Sequence, residues 1–355
     1  MNVVTEQAVR ERLRTVQDPE LQRDLVTLGM VKDIAVDGGN VSVHIELTTP
    51  ACPLRAQITH DVEQAVRQIE GVEHVEVKCS ARVRSGRSVS AHLPGVKNVI
   101  AIGAGKGGVG KSTTAVFLAY GLHRSGASVG LMDADVYGPS IPMMTGTEGV
   151  QPLMRDNIFV PVDARGVKIM SVGLLIDRDD PVVWRGPMAH ALVQQFLGQV
   201  DWGELDYLIV DLPPGTGDVP LSLAQTIPLT GLVVVCTPQD IALLDARRAI
   251  AMYRKLGILC LGIVENMSYY LCPKCGHRDE LFDHGGAKTA SRELGVPFLG
   301  EIPLNTNVRV FGDVGQPERI LTDTDDNVSR AINRVVANIA AQVSIATGPA
   351  SAAGL

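Results

Sequence analysis

Basic charge is what this 355-residue chain has least to spare: 32 Lys and Arg stand against 39 Asp and Glu, a formal charge of −7. Without a net basic field there is little to grip a nucleic-acid backbone, so nucleic acid is excluded as the expected partner. Long apolar runs are missing as well. A bilayer span needs about 20 consecutive apolar residues; none occurs, and the first sixteen positions carry Glu6, Arg10, Glu11, Arg12 and Arg14 in place of a signal peptide's apolar core. The expectation is a soluble, cytoplasmic protein with no membrane partner. Cysteine is too thin for a secreted disulfide scaffold: Cys52, Cys79, Cys236, Cys260, Cys272 and Cys275 are the only six, which leaves core packing and metal chemistry as their uses. Internal repeats and low-complexity tracts are absent too. What is present is an ordinary globular composition, 45% apolar and 20% charged. At about 100–200 residues per domain the length leaves room for two.

Val9, Leu13 and Val16 recur at helical spacing behind a candidate N-cap at Thr5, until Asp18-Pro19 breaks the pattern. A hairpin follows, with Ile34 and Val36 on one strand, Asp37-Gly38-Gly39-Asn40 as the turn, and Val41, Val43, Ile45 and Leu47 on the other. Leu54, Ile58, Val62, Val66 and Ile69 form a second helical stripe ended by Gly71, and Val75, Val77 and Cys79 read as a third strand, with Cys79 in the core. This α-β-β-α-β pattern defines a small α+β domain over 1–80. Residues 81–97, with Arg82, Arg84, Arg87, Gly86 and Pro94, read as a linker. From Asn98 onward, apolar β-rich runs at 99–102, 129–132, 207–210, 232–236, 258–264 and 298–302 alternate with helical stretches, the pattern of a mostly parallel sheet covered on both faces by helices. Val328, Ile332, Val335, Ile339 and Val343 make a final helical stripe, closing a domain over 98–345 ahead of a flexible tail, 346–355.

Directly after the first of those runs comes Gly105-Lys106-Gly107-Gly108-Val109-Gly110-Lys111-Ser112, which fits G-x-x-x-x-G-K-S/T, followed by a helical segment from Thr113. Glycines let consecutive N–H groups turn in around phosphate oxygens; Lys111 reaches the β/γ oxygens and Ser112 offers its hydroxyl to Mg²⁺. Tyr207-Leu-Ile-Val-Asp211 reads as a Walker B strand whose terminal carboxylate, Asp211, holds Mg²⁺ through water, and Gly215-Thr-Gly-Asp218 is glycine-rich enough to move with a γ-phosphate. Asp133 and Asp135 end the strand before, where open α/β sheets place their ligand chemistry.

The run from Lys106 to Thr113 resembles the deviant Walker A loop of the P-loop ATPases that include MinD, ParA, nitrogenase iron protein and the Mrp/ApbC iron–sulfur carriers. The resemblance implies that Lys106 reaches the nucleotide of a facing subunit in a homodimer, and that Asp135 orients the attacking water with Asp133 supporting it. It implies that Gly105 to Thr113, with Asp211, bind ATP and Mg²⁺. The stretches 133–140, 183–188, 211–218, 237–239 and 264–268 narrow the match to the Mrp/ApbC branch of ATP-binding iron–sulfur cluster carriers, across about 95–345, which implies that Asn266 lies by the adenine base. Asp18-Pro-Glu-Leu21 and Thr48-Thr-Pro-Ala-Cys-Pro53 resemble the accessory domain of iron–sulfur assembly factors.

Cys52 stands just before a helix expected to begin near Pro53, where the dipole favours thiolate, so it reads as a reactive or cluster-contacting thiol. Cys236 and Cys260 lie in apolar strands and read as packing residues. Cys272-Pro-Lys-Cys275 offers two thiolates, too few for a tetrahedral site. Either the remaining ligands come from His277 or His284 as an intrachain zinc knuckle, or from the same pair on a second subunit, or the two thiols hold no metal and form a structural or redox pair. The family resemblance implies the second, a 4Fe–4S cluster bridging the dimer. The expected function is an ATP-hydrolysing carrier that takes clusters from an upstream scaffold to apo iron–sulfur proteins. Its rivals are a positioning ATPase of MinD/ParA type, which needs a basic amphipathic tail or DNA-binding surface the neutral terminus lacks, a zinc-binding P-loop ATPase, and an electron-donating reductase.

Overall fold

A computed structural model describes residues 4–86, 93–176, 186–272, 274–322 and 326–348. Two compact units emerge: one from the residues up to Arg84 together with those from Ser344, the other from Ser85–Val343.

In the first unit the Glu6–Leu13 helix begins at Thr5, whose hydroxyl accepts from the Ala8 N–H at 3.2 Å. A three-stranded sheet is ordered Val31–Asp37, Asn40–Leu47, His74–Ala81, the first pair antiparallel and the second parallel. Strict alternation along Asn40–Leu47 sends Val41, Val43, Ile45 and Leu47 inward, against Ile58, Val62 and Val66 of the Arg55–Arg67 helix and against Val9 and Leu13. That helix stops at Arg67, four residues before Gly71, which turns the chain at φ +93°. Cys79 is half-buried beside this core rather than in it. A two-residue ladder, Gln17–Asp18 on Arg23–Asp24, spans the Asp18-Pro19 break that the sequence marks only as a helix end.

Among the described residues of the second unit lies a nine-stranded sheet. Its order is Val162–Ala164, Val167–Ser171, Val129–Asp133, Leu205–Asp211, Val96–Gly103, Gly231–Cys236 and Cys260–Leu271, the last pairing with both Phe298–Leu304 and Arg278–Asp279. Every pairing from Val167–Ser171 to Phe298–Leu304 is parallel, and only the edge strand Val162–Ala164 and the Arg278–Asp279 flap run antiparallel. The expected parallel sheet is there, and the reason is legible in its strands. Val99, Ala101, Leu208 and Val210 pack on the helices Gly186–Gly198, Asp218–Thr226 and Asp240–Lys255, while the intervening Ile100, Ile102 and Ile209 are equally buried, so both faces demand apolar residues. The Lys111–Arg124 helix is buried along most of its length and follows the central strand after the loop 104–110.

Some expectations shift. The strands at Leu153–Arg155, Ile158–Val160, Val162–Ala164 and Val167–Ser171 are too short for a periodic signal. The central strand starts at Val96, inside the expected linker, where Leu93 is also buried; 87–92 lie outside the described residues. The last helix, Asn327–Thr347, runs past the point where a tail was expected, and 349–355 lie outside the described residues, as do 183–185 of the 183–188 stretch. Among the described residues no helix is long and apolar enough to cross a membrane.

Candidate functional site

The strand Val96–Gly103 delivers its loop to the carboxyl edge of the sheet, beside the ends of Val129–Asp133 and Leu205–Asp211, whose terminal residues pair in register as Asp133 and Asp211. Gly108 and Gly110 take φ +81° and +83°, which L side chains rarely adopt. Gly105 is required by proximity: a Cβ there would meet the Asp245 backbone carbonyl. Gly110 then caps the Lys111–Arg124 helix, so the helix N-terminus and the loop N–H groups point at one place. Val109 is buried, whereas Gly107 and Gly108 are exposed. Thr114 returns its hydroxyl to the Gly110 carbonyl at 2.9 Å.

Lys111 is 7% exposed and donates to Asp211 Oδ1 at 2.7 Å and to Ser112 Oγ at 3.2 Å, with Asp135 Oδ2 at 3.5 Å. Asp133 and Asp211 are fully buried. Asp133 accepts from the Asp135 N–H at 3.1 Å and from Ser171 Oγ at 2.9 Å; burial, and then the charge of Asp211, push its carboxyl up to about 8. Burial raises Asp211 too, against the pull of Lys111. Three carboxylates thus crowd one ammonium, an arrangement that favours cation or proton uptake. Asp211 Oδ2 is buried without a hydrogen-bond partner among the described residues, and with Ser112 Oγ it offers the hard oxygen donors that suit Mg²⁺. Lys106, half-exposed on the loop, makes no ion pair among the described residues.

Asn266, on the Cys260–Leu271 strand, donates to the Val109 carbonyl at 2.8 Å and packs so tightly on Gly110 that a Cβ there would collide with its amide. It also lines a cavity of about 300 Å³ with Thr113, Met143, Met144, Pro303 and Val308, an apolar slot opening beside the loop. The slot is a feature that sequence reading missed, because its walls come from four separate segments.

The same strand ends at Leu271, and Cys272, six positions beyond Asn266, is the next residue. Cys272 and Cys275 sit on a tight hairpin: the Cys272 N–H donates to His277 O at 2.9 Å and the Gly276 N–H to Cys272 O at 2.8 Å. The N–H groups of Lys274 and then Cys275 aim at the Cys272 sulfur and lower its pKa, as a metal-ready thiolate requires. Cys272 is half-buried and Cys275 exposed. His277 and His284 do not complete this pair. Among the described residues no third ligand joins the two thiols, and His284 Nε2 is instead 2.8 Å from Glu301 Oε2.

Cys52 departs from expectation. The helix begins at Arg55 rather than Pro53, and burial, helped by the charges of Glu20 and Asp18, pushes its thiol up to about 11. Glu20 itself is raised to about 7 by burial and by Asp18. The dipole argument fails because desolvation outweighs it. Cys236 and Cys260 are buried in strands as expected.

Residues 95–340 match the model of a family described as NUBPL iron-transfer P-loop NTPase, and residues 6–78 match a family described as iron-sulfur cluster assembly protein. The chain is 49% identical to an iron-sulfur cluster carrier protein of Synechocystis sp., over 97% of this chain and 99% of that one, and 49% identical to its counterpart in Deinococcus radiodurans, over 96% of each. Among solved structures it resembles a nucleotide-binding protein of Archaeoglobus fulgidus in complex with ADP, in which cobalt was found, with a TM-score of 0.60 and 38% identity over 68% of this chain and 96% of that one.

Proposed function

The chain belongs to the NUBPL-type family of iron-transfer P-loop NTPases, and from that premise we propose that it hydrolyses ATP while carrying an iron–sulfur cluster to apoproteins. One observation carries the reading: a single strand, Cys260–Leu271, supports the phosphate loop through Asn266 and ends in the Cys272/Cys275 hairpin, so nucleotide and cargo act on the same element.

ATP enters with its base in the slot beside Asn266 and its phosphates in the cradle from Gly105 to Thr113. An incoming phosphate competes with Asp211 for Lys111. Once released, Asp211 joins Ser112 as the place to hold Mg²⁺, which when bound neutralises charge on the β- and γ-oxygens. Asp135, beside Lys111, orients the attacking water; Asp133 holds the backbone of Asp135 through the hydrogen bond at its N–H. Lys106, free of acidic partners among the described residues, reaches across a homodimer to the second nucleotide.

The cargo is the cluster. Cys272 and Cys275 supply two soft ligands, a cubane needs four, and the two-fold axis of a homodimer supplies the other two. The same reading makes the protein cytoplasmic, with an upstream scaffold as donor. Anaerobic reconstitution with iron and sulfide tests it: about four irons per dimer, visible absorption that bleaches on oxidation, and transfer to an apo-enzyme are expected. One colourless metal per monomer would replace the bridging cluster with an intrachain site.

A further inference from the structure

The strands Cys260–Leu271 and Phe298–Leu304 run parallel with Glu265 and Glu301 as register partners. Like charges opposite one another on neighbouring strands repel, and Glu265 is fully buried, which makes the pairing costlier. No Lys or Arg forms an ion pair with either carboxylate among the described residues; the group that approaches is His284, whose Nε2 lies 2.8 Å from Glu301 Oε2, with Glu280 3.7 Å from its Nδ1. One ligand atom from each of Glu265, His284 and Glu301 lies within 4.8 Å of the other two, and these are the only three such groups so gathered among the described residues.

The buried carboxylate is held in place. Glu265 Oε1 accepts from Ser268 Oγ at 2.6 Å and from the Gly285 N–H at 3.0 Å, and Oε2 from the Ala287 N–H at 2.8 Å. A carboxylate has about four acceptor sites, so one remains on Oε2. Ser268 Oγ also stands 3.5 Å from Glu301 Oε2, which places the two acids on either side of one hydroxyl. His284 and Glu301 are about one-third exposed, which leaves a path for an ion.

We propose that Glu265, His284 and Glu301 form a binding site for one divalent first-row transition ion, separate from the phosphate loop and from the cysteine pair. One imidazole nitrogen and two carboxylate oxygens suit such ions, and three protein ligands leave positions open for water, the mark of an exchangeable rather than a closed site. Binding at Nε2 displaces the hydrogen between His284 and Glu301: a neutral imidazole keeps its one N–H at Nδ1, on the side of Glu280, a proton beyond that one leaves to solvent, and the ion cancels the repulsion between the two acids. Because His284 lies on the segment between the cysteine hairpin and the Gly286–Leu294 helix, an ion here pins the hairpin's return segment to both strands.

The test uses the full chain carrying Cys272→Ser and Cys275→Ser, stripped of metal and kept free of nucleotide, titrated with Co²⁺. The expected result is one Co²⁺ per chain with weak d–d absorption and no thiolate charge-transfer band, and affinity reduced at least about tenfold in both His284→Asn and Glu301→Gln. Both substitutions alter part-exposed side chains, and circular dichroism verifies that each variant is folded. Absence of saturable binding, a thiolate band, or undiminished affinity in either folded variant would overturn the site. Since the cluster thiols are already removed, neither outcome depends on whether the protein carries a cluster.

Discussion

Lys111 Nζ donates to Asp211 Oδ1 across 2.7 Å, linking the phosphate loop to the end of the neighbouring strand through a buried ion pair. The loop's cation is therefore engaged by the carboxylate that the metal-binding reading assigns to Mg²⁺. Under the proposed function, phosphate binding and Asp211 release are one exchange.

Removing the lysine breaks that exchange. Lys111→Ala is expected to lower ATP turnover by at least about 10²-fold, since transition-state charge loses its nearest donor. Asp135→Ala should lose a similar factor while keeping nucleotide affinity, because Asp135 stands 3.5 Å from Lys111 and touches neither the slot nor Ser112 among the described contacts. Steady-state rates paired with equilibrium nucleotide binding separate the two; equal loss of binding in Asp135→Ala would move it into the metal shell.

Stability should carry the signature of Asp133. Its carboxyl is raised from 3.8 to about 8, so the folded protein holds a proton that the unfolded chain releases. Stability from this group is complete below about pH 4 and is lost as pH rises toward and through 8. Asp133→Asn stays neutral at every pH, so its Tm measured without nucleotide should fall less between pH 6 and 9 than that of the parent. Parallel Tm profiles would show that Asp133 is ionised in the fold.

Gly108 and Gly110 make a matched pair. Both hold positive φ, but a Cβ at Gly108 meets open space and one at Gly110 meets the Asn266 amide. Gly108→Ala should destabilise by about 1 kcal/mol from backbone strain alone. Gly110→Ala should cost more and weaken adenine-nucleotide binding, since Asn266 must leave both the loop and the slot. Denaturant unfolding and nucleotide titration of the two variants check this; indistinguishable effects would remove Asn266 from the account.

Four of the six thiols should separate by reactivity. In reduced, metal-free protein near pH 8, iodoacetamide should modify Cys272 first, its thiolate favoured by the N–H groups of Lys274 and Cys275. Cys52, raised to about 11, and Cys236 and Cys260, raised to about 12 and about 11, should lag by roughly tenfold or more. Peptide mass spectrometry over time orders them. Early labelling of Cys52 would restore it as a reactive thiol.

Much of this was legible in the one-dimensional chain because its signals are local. Strands buried on both faces must be continuously apolar, so the runs at 99–102, 207–210 and 232–236 announce a parallel sheet, and a glycine loop between such a run and a helix can hold phosphate whatever surrounds it. Cys272 and Cys275, three positions apart, were visible for the same reason. What only the tertiary structure decided are energies that depend on neighbours far along the chain. Cys52 sits before a helix as expected, yet its thiolate is disfavoured by burial and by Asp18 and Glu20, some thirty positions away, which sequence spacing does not report. His284 was a candidate partner for the cysteines by proximity in sequence, but the register of two strands sets Glu301 in front of it instead. Propensity and motif spacing act through adjacent residues; desolvation and charge act through space, and only the fold assigns those distances.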